Sequence, residues 1–314
     1  MEFKCRKTRV EGDDSYTVLE TSDILLKEHV LGNAVPGAVG VYTTMSLSPD
    51  STTVDRKQDH VELHTARLVR CIASVLGMDI SDPTKMEFYM DVRYYVNICV
   101  DAACQVMSDA PEYMIVIVFW VLSGQERATL GIEKLLMYVK EYAPRLLDGP
   151  KMAYILGPPR MNPNVKDVMW MRDREYLERL APREATEVLL CSKHGDLLEG
   201  LVTNIFVIVD GGDGEHVVQT APVERGVLWG TMREKVIDAC KYLDIPVEFT
   251  CPSMASHHTW KEAFLTNSMR GVCPLDGITC SKENVWGLPE WHITFDTSHI
   301  STRIAKYLSE QQHV

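Results

Sequence analysis

Apolar positions recur along the chain with two different periods, and each period predicts one kind of secondary structure. In residues 61–78, Leu68, Ile72 and Val75 recur at helical spacing, and Gly77 follows as a helix stop. Residues 112–124 instead contain an uninterrupted apolar run rich in valine and isoleucine, which predicts a buried strand. The first half of the chain therefore contains both helices and strands.

The same reasoning assigns the remaining elements. Strand-forming residues predict two hairpins in the second half, because turn residues interrupt them around His194–Asp196 and around Gly211–Gly214. The other predicted elements are strands at 39–48, 246–253 and 264–275 and helices at 87–107, 230–245 and 254–263. Prolines and glycines concentrate at 146–165, which we interpret as the crossing between two mixed α and β parts.

Composition restricts the classes of partner. The chain has 314 residues, of which 46% are hydrophobic and 24% charged, as in ordinary globular proteins. With 44 acidic and 32 basic residues the net charge is -12, which argues against nucleic acid or an anionic membrane as the main partner. The longest apolar run, Met114–Leu122, is about half the ~20 residues that cross a bilayer, and the N-terminus lacks a signal-peptide core. We expect a soluble cytoplasmic protein.

Cysteine and histidine spacing gives no sign of a metal site. Nine cysteines are scattered without a CxxC pair, which is typical of reduced thiols in a cytosol-like compartment. The adjacent His257 and His258 point in different directions and have no third ligand near them in the sequence. We therefore expect no metal.

Glu199 interrupts an apolar segment, and Asn204 stands where the next strand begins. A carboxylate removed from water is costly unless a partner compensates it, and a protonated pyridine-type nitrogen is such a partner. A carbonyl cofactor of that kind is held by a lysine, and Lys166 lies upstream of Glu199. Lys151 is the nearby alternative, but it lies farther away in a Gly-Pro turn, and we assign it to the surface.

A phosphate on the same cofactor would require backbone N–H groups at a helix N-terminus. Two groups of neutral donors meet this requirement: Gly230, Thr231 and Met232 at the start of a predicted helix, and Thr266, Asn267 and Ser268 at the end of a strand. Taken together, these residues describe a pyridoxal phosphate site.

The motifs, taken in order, resemble those of the fold-type IV (class IV) pyridoxal-phosphate enzymes: branched-chain aminotransferases, D-amino acid aminotransferases and 4-amino-4-deoxychorismate lyases. The resemblance covers most of the chain and is strongest from Lys166 to Ile278. The family signatures E-G-x-x-x-N-x-F, P-x-x-x-x-x-L-x-G-x-T-R and H-x-x-R-L correspond here to Glu199–Phe206, Pro222–Arg233 and His64–Leu68. One departure is Met232, which stands where the family usually has a threonine, so we expect weaker retention of the cofactor at worst.

The resemblance implies a two-domain α/β fold, with a smaller N-terminal domain at 1–148 and a larger C-terminal domain at 149–314 that carries the catalytic Lys166. Lys166 would hold pyridoxal 5'-phosphate as a Schiff base and then move a proton of the substrate. The other cofactor-binding residues implied are Glu199 at the ring nitrogen, Arg67 at the phosphate, and Asn204, Gly230, Thr231, Met232, Asn267 and Ser268.

The function implied is an aminotransferase that moves an amino group between an amino acid, of branched-chain or D-amino acid type, and a 2-oxo acid, acting as a homodimer. Candidate substrate-binding residues are Tyr42, Arg172, Arg174 and Arg270. Two alternatives stay open: a lyase that releases pyruvate from an aminodeoxychorismate-like substrate, and a cofactor-binding relative without catalysis. Motif order does not choose between L- and D-amino acids.

Overall fold

A computed structural model describes residues 2–5, 17–19, 26–48, 54–78, 81–107, 112–122, 132–142, 149–212 and 215–311 of the protein. The chain divides into two units, one of Met1–Pro144 with Val165–Asp173 and one of Arg145–Asn164 with Arg174–Val314. Mixed α and β structure is present in both, as the fold class predicts. Among the described helices, none combines the length and apolar character that a membrane crossing requires.

The first unit is built on an antiparallel sheet that has five strands within the described residues, in the order β2-β1-β5-β4-β3. Its strands are β1 (Glu2–Cys5), β2 (Thr17–Leu19), β3 (Ala38–Leu47), β4 (Tyr113–Leu122) and β5 (Ile132–Glu141). Its helices are α1 (Leu26–Gly32), α2 (Val54–Val75), α3 (Tyr89–Val106) and α4 (Trp170–Asp173).

Strand β4 lies between two apolar layers, which explains its uninterrupted apolar sequence. Ile117 and Phe119 point into the core formed with α2 and α3, whereas Val118 and Trp120 point into a second core on the opposite face. Successive side chains of a strand alternate between faces, so a strand covered on both sides is apolar at every position. The prediction of a buried strand is confirmed.

Helix α2 begins at Val54, seven residues before the predicted helix at 61–78, and ends at Val75. Gly77 adopts a φ of +68° just after the helix, a left-handed conformation that glycine adopts readily, so its role as a stop is confirmed. Helix α2 is joined to α3 by Glu62, which accepts a hydrogen bond from the Tyr89 hydroxyl and forms an ion pair of 2.6 Å with Arg93.

The second unit contains a sheet of ten strands within the described residues, with the main order β11-β10-β9-β8-β7-β6-β14-β15 and with β12 paired to β9 and β13. The first five are β6 (Met152–Gly157), β7 (Ala185–Cys191), β8 (Leu197–Gly200), β9 (Asn204–Gly212) and β10 (Glu215–Gln219). The others are β11 (Val247–Glu248), β12 (Trp260–Asn267), β13 (Gly271–Pro274), β14 (Gly277–Cys280) and β15 (Trp291–Thr294). The helices are α5 (Glu175–Leu180), α6 (Thr231–Tyr242) and α7 (His299–Gln311).

Strands β9 and β12 form the centre of this unit. Phe206 and Phe264 stack with their ring centroids 4.9 Å apart and pack against α6 and α7. Ile205 and Leu265 point to the other face, into a second apolar core. The alternation again matches β-strands that are buried on both faces.

Several elements of the second unit differ from the sequence prediction. The hairpins β7–β8 and β9–β10 are confirmed, although residues 213–214 at the second tip lie outside the described residues. Strand β6 lies inside the 146–165 segment, so that segment is not simply a connection between domains. The predicted strand at 246–253 is strand only at Val247–Glu248, and the predicted helix at 254–263 is a 3-10 helix at Met254–Thr259 followed by β12.

The segment Val165–Asp173 belongs to the first unit because it pairs with β3. Val41 and Asp167 form an antiparallel bridge, and the Val168 N–H donates to the Gly40 carbonyl at 2.9 Å. A Cβ at Gly40 would lie 2.5 Å from Val168 Cγ2, so only glycine permits this approach. Lys166 is therefore in the first unit, which differs from the expected C-terminal placement, and the boundary at residue 148 falls outside the described residues.

The buried Glu262 carboxylate in β12 caps helix α7. It accepts hydrogen bonds from the backbone N–H groups of Ile300 at 2.9 Å and Ser301 at 3.0 Å, and from the Ser301 hydroxyl at 2.9 Å. Glu262→Ala leaves these buried donors without an acceptor, so we expect the free energy of unfolding to fall by at least about 2 kcal/mol. Urea denaturation measures the change. The exposed Glu248→Ala is the control, and an equal effect of both variants would refute the capping role.

Candidate active site

The turn between β8 and β9 positions Glu199 and Asn204 around one backbone residue, Leu228. Glu199 Oε2 accepts the Leu228 N–H at 3.0 Å, and Asn204 Nδ2 donates to the Leu228 carbonyl at 3.0 Å. The Gly200 N–H donates to the Thr203 carbonyl at 2.8 Å and closes the turn, so that Glu199 and Asn204 face each other across the strand pair. The spacing of the E-G-x-x-x-N signature thus places both side chains on one peptide segment.

Within the protein, the buried Glu199 has a second partner that the sequence did not indicate. Arg160 Nη1 lies 3.7 Å from Glu199 Oε1, and both side chains are about 5% exposed or less. A neighbouring guanidinium stabilises a carboxylate anion. A buried carboxylate held in this way attracts a cationic donor, because charge-assisted hydrogen bonds to a carboxylate are the strong ones. The arrangement fits a protonated ring nitrogen.

Helix α6 begins at a buried N-terminus. Gly230 at the N-cap position has no side chain with which to cap it, and Thr231 and Met232 in the first turn are buried. The Thr231 hydroxyl lies 3.4 Å from the Ser268 hydroxyl, so the structure brings together two of the predicted phosphate donors. A buried helix N-terminus with two adjacent hydroxyl groups is a setting in which a phosphate is well bound.

The side chain of Asn267 has protein partners of its own. Its Oδ1 accepts the N–H groups of Met269 at 3.0 Å and Arg270 at 2.8 Å, and its Nδ2 donates to the Val202 carbonyl at 3.3 Å. Asn267 therefore shapes the β12–β13 turn that presents Ser268. A direct contact of Asn267 with a cofactor stays a prediction.

In the first unit, Lys166 contacts Tyr42, which is a predicted substrate-binding residue, and Cys71. Its Nζ is 4.8 Å from the centre of the Tyr42 ring, and its carbonyl accepts the Tyr42 N–H at 2.9 Å. Its own N–H donates to the Cys71 thiol at 3.3 Å. These contacts fix the backbone of Lys166 on both sides.

Arg67 is buried in α2, next to Thr43 and His64. It donates to the Thr43 hydroxyl, to the Thr44 carbonyl at 3.3 Å and to His64 Nδ1 at 3.0 Å. His64 Nδ1 also lies 2.6 Å from the Thr43 hydroxyl, so the three side chains form one buried hydrogen-bonded cluster. Burial lowers the pKa of Arg67 to about 10, an effect that the nearby Cys71 and Tyr42 only partly oppose. An anion such as phosphate would stabilise the charged form.

The three arginines predicted for the substrate carboxylate each have partners within their own unit. Arg172 lies 3.4 Å from Asp173, and Arg174 Nε lies 2.7 Å from Glu178. Arg270 donates to the Thr186 carbonyl at 3.2 Å. These contacts do not select one of them, and their role with substrate stays a prediction. Among the described residues, no group of three His, Cys, Asp or Glu side chains is arranged to hold a metal.

Comparison with known proteins matches the chain to one family model. The model of the amino-transferase class IV family matches residues 40–278. A curated relative, a probable branched-chain-amino-acid aminotransferase from Thermotoga maritima, is 33% identical over 99 residues, which are 31% of this chain. The aligned part spans about a third of the length of that relative, 34%.

Solved structures share the fold over nearly the whole chain. A branched-chain aminotransferase from the archaeon Thermoproteus uzoniensis, solved with norvaline, has a TM-score of 0.65 at 18% identity and covers 96% of this chain and 93% of its own. A putative 4-amino-4-deoxychorismate lyase from Legionella pneumophila has a TM-score of 0.61 at 16% identity, and the match covers 93% of this chain and 96% of the lyase chain. At these identities the likeness concerns the fold.

Proposed function

The chain belongs to the amino-transferase class IV family, and from this premise we propose that it is a pyridoxal-phosphate-dependent aminotransferase. The observation that supports it most strongly is the short segment from Leu228 to Thr231. Its first residue is held by Glu199 and Asn204, and its last opens the buried N-terminus of α6. One segment thus sets the spacing between a carboxylate for a ring nitrogen and a helix end for a phosphate.

Pyridoxal phosphate, when bound, supplies an electron-withdrawing ring that stabilises negative charge at the substrate Cα. Glu199 would stabilise a protonated ring nitrogen, and the neighbouring Arg160 guanidinium balances the negative charge that this carboxylate carries. Lys166 would hold the cofactor through its side-chain amine, and the same amine would move the proton at the substrate Cα. Thr231, Ser268 and the first N–H groups of α6 would bind the phosphate. The family resemblance assigns the same role to Arg67.

The second candidate is a lyase that releases pyruvate, because a putative 4-amino-4-deoxychorismate lyase shares the fold over 93% of this chain. An aminotransferase and a lyase would use the same lysine and the same ring carboxylate. They differ in the groups that face the substrate. The two activities therefore have to be separated by their products.

The test is an amino-donor screen with purified protein and added pyridoxal phosphate. L-branched, L-acidic and D-amino acids are offered with 2-oxoglutarate or pyruvate, and the new amino acid and 2-oxo acid are measured separately. Parallel initial-rate lines, the sign of ping-pong kinetics, are expected for a matched donor and acceptor. Pyruvate release from aminodeoxychorismate without any acceptor would support the lyase instead. Turnover of neither substrate class would contradict the proposal.

We also propose that the protein is a homodimer in the cytoplasm, as the resemblance implies. Size-exclusion chromatography with light scattering is expected to give a molecular mass of twice the chain mass of 35.5 kDa. A monomer that transfers amino groups would refute the dimer but not the chemistry.

Gly230 is expected to be essential for retention of the cofactor. A Cβ at this position would overlap Asn204 Oδ1 and would lie 3.3 Å from Arg233 Cβ, so the start of α6 has to shift. We expect Gly230→Ala to weaken pyridoxal phosphate binding at least about tenfold, because the phosphate loses aligned N–H donors. Absorption titration of the apoprotein measures it. Gly32→Ala, where nothing lies within 4 Å of the new methyl group, is the matched control; equal affinities in both variants would refute this role.

A further inference from the structure

Glu187 in β7 is a buried carboxylate that no signature motif contains. Its Oε2 accepts the Thr203 hydroxyl at 3.0 Å, and its Oε1 accepts the Val188 N–H at 3.1 Å. A Cβ at Gly200 would lie 2.8 Å from Glu187 Cγ, so the β8–β9 turn rests directly on this side chain. Burial raises the pKa of the Glu187 carboxyl, and the Arg270 guanidinium is the main group that lowers it again.

Glu187 therefore connects two separate turns of the second unit. Thr203 belongs to the turn that places Glu199 and Asn204 on either side of Leu228. Arg270 belongs to the β12–β13 turn that presents Ser268, and it also donates to the carbonyl of Thr186, the residue before Glu187.

A hydrogen bond from Asn267 links the same two turns a second time. Asn267 Nδ2 donates to the Val202 carbonyl at 3.3 Å, so the β12–β13 turn is tied to the β8–β9 turn as well as to β7. Because the two turns share these partners, the loss of one link is expected to loosen both turns.

We propose that Glu187 is a positioning residue, which with Thr203 and Arg270 fixes the turn that carries Glu199 relative to the turn that carries Ser268. As a positioning residue it would act through these neighbours and not by touching substrate or cofactor. It sets the distance between the groups that receive the ring nitrogen and the phosphate. The expected effect on cofactor affinity rests on the proposed function. The coupling of the two turns does not depend on that function.

The test uses Glu187→Gln, with Glu262→Gln as the matched control. Both carboxylates are buried in strands of the same sheet, but the donors to Glu262 belong to α7. Amide hydrogen exchange of the apoprotein is measured in peptides 200–204 and 267–271, and pyridoxal phosphate affinity is measured by absorption titration. For Glu187→Gln we expect faster exchange in both peptides and an affinity at least about tenfold lower, because the amide has one acceptor oxygen in place of the two that accept from the Val188 N–H and the Thr203 hydroxyl. For Glu262→Gln, the change is expected in α7 alone.

Arg270→Gln supplies an independent test, since Arg270 is exposed at the surface and its loss does not empty a core position. Its control is Arg303→Gln, an exposed arginine that also donates to a backbone carbonyl, that of Leu243 at 3.0 Å. Arg270→Gln is expected to reproduce the faster exchange in both peptides, and the double variant with Glu187→Gln is expected to add little to either single effect.

The following outcomes decide the inference. Faster exchange in both peptides, with lower cofactor affinity, supports it. Unchanged exchange in peptide 267–271 in both Glu187→Gln and Arg270→Gln overturns it, as does a wild-type cofactor affinity in these variants. If the wild-type protein itself binds no pyridoxal phosphate, the proposed function fails, and the exchange data alone then decide whether Glu187 couples the turns.

Discussion

Lys166→Ala is expected to lower the rate of amino transfer by at least about 10³-fold, because the variant has no base to move the substrate proton and no amine to hold the cofactor. The Lys166 backbone is fixed by the Tyr42 N–H and the Cys71 thiol, and these contacts do not involve the amine. The fold should therefore survive the substitution. Steady-state rates with the best donor from the screen, together with thermal melting, measure both effects.

The matched control is Lys151→Ala, since Lys151 is the other lysine in the same region of the sequence. Its backbone N–H, and not its amine, binds Asp276 at 2.6 Å. The control should keep the wild-type rate. A loss of activity in Lys151→Ala with full activity in Lys166→Ala would reverse the assignment.

Glu199→Gln is expected to lower the rate by roughly 10²-fold or more while pyridoxal phosphate still binds. The amide oxygen can still accept the Leu228 N–H, so the segment before α6 is retained. A neutral amide does not stabilise a protonated ring nitrogen, and the ring then withdraws electrons less strongly. Single-turnover rates with a donor amino acid, compared with cofactor affinity, separate the chemical step from binding.

The same substitution leaves Arg160 buried beside a neutral side chain, which is costly, so stability is expected to fall as well. The double variant Glu199→Gln/Arg160→Met removes that charge and should restore part of the melting temperature without restoring the rate. If the double variant recovers activity, the defect of Glu199→Gln was one of folding. If Glu199→Gln alone transfers amino groups at the wild-type rate, Glu199 has no role at the ring nitrogen.

The features that the sequence predicts best are those that depend on local periodicity and on the order of residues along the chain. The apolar run at β4 predicts a buried strand, and the structure shows that Val118 and Phe119 point into opposite cores. The spacing between Glu199 and Asn204 implied a common role, and the structure shows that both hold Leu228. Such features are encoded within a few residues of one another.

Features that depend on contacts distant in sequence could not be predicted in this way. Arg160 lies in a segment of prolines and glycines, and only the folded sheet places its guanidinium beside Glu199. Thr43 gives no sign of its bond with Arg67, because the two are brought together by packing of β3 against α2. The sequence around strand β6 predicts a connection, because its flanking prolines are more typical of a linker than its short apolar run is of a strand.

The most direct test of the central claim is the reduction of the purified protein with borohydride, followed by peptide mapping. The yellow absorption band of bound cofactor should disappear on reduction, and the pyridoxyl group should be found on the peptide that contains Lys166. In Lys166→Ala the band and the modified peptide should both be absent. A protein that takes up no added pyridoxal phosphate, or one that carries the group on another lysine, would contradict the assignment of this chain as an aminotransferase that acts through Lys166.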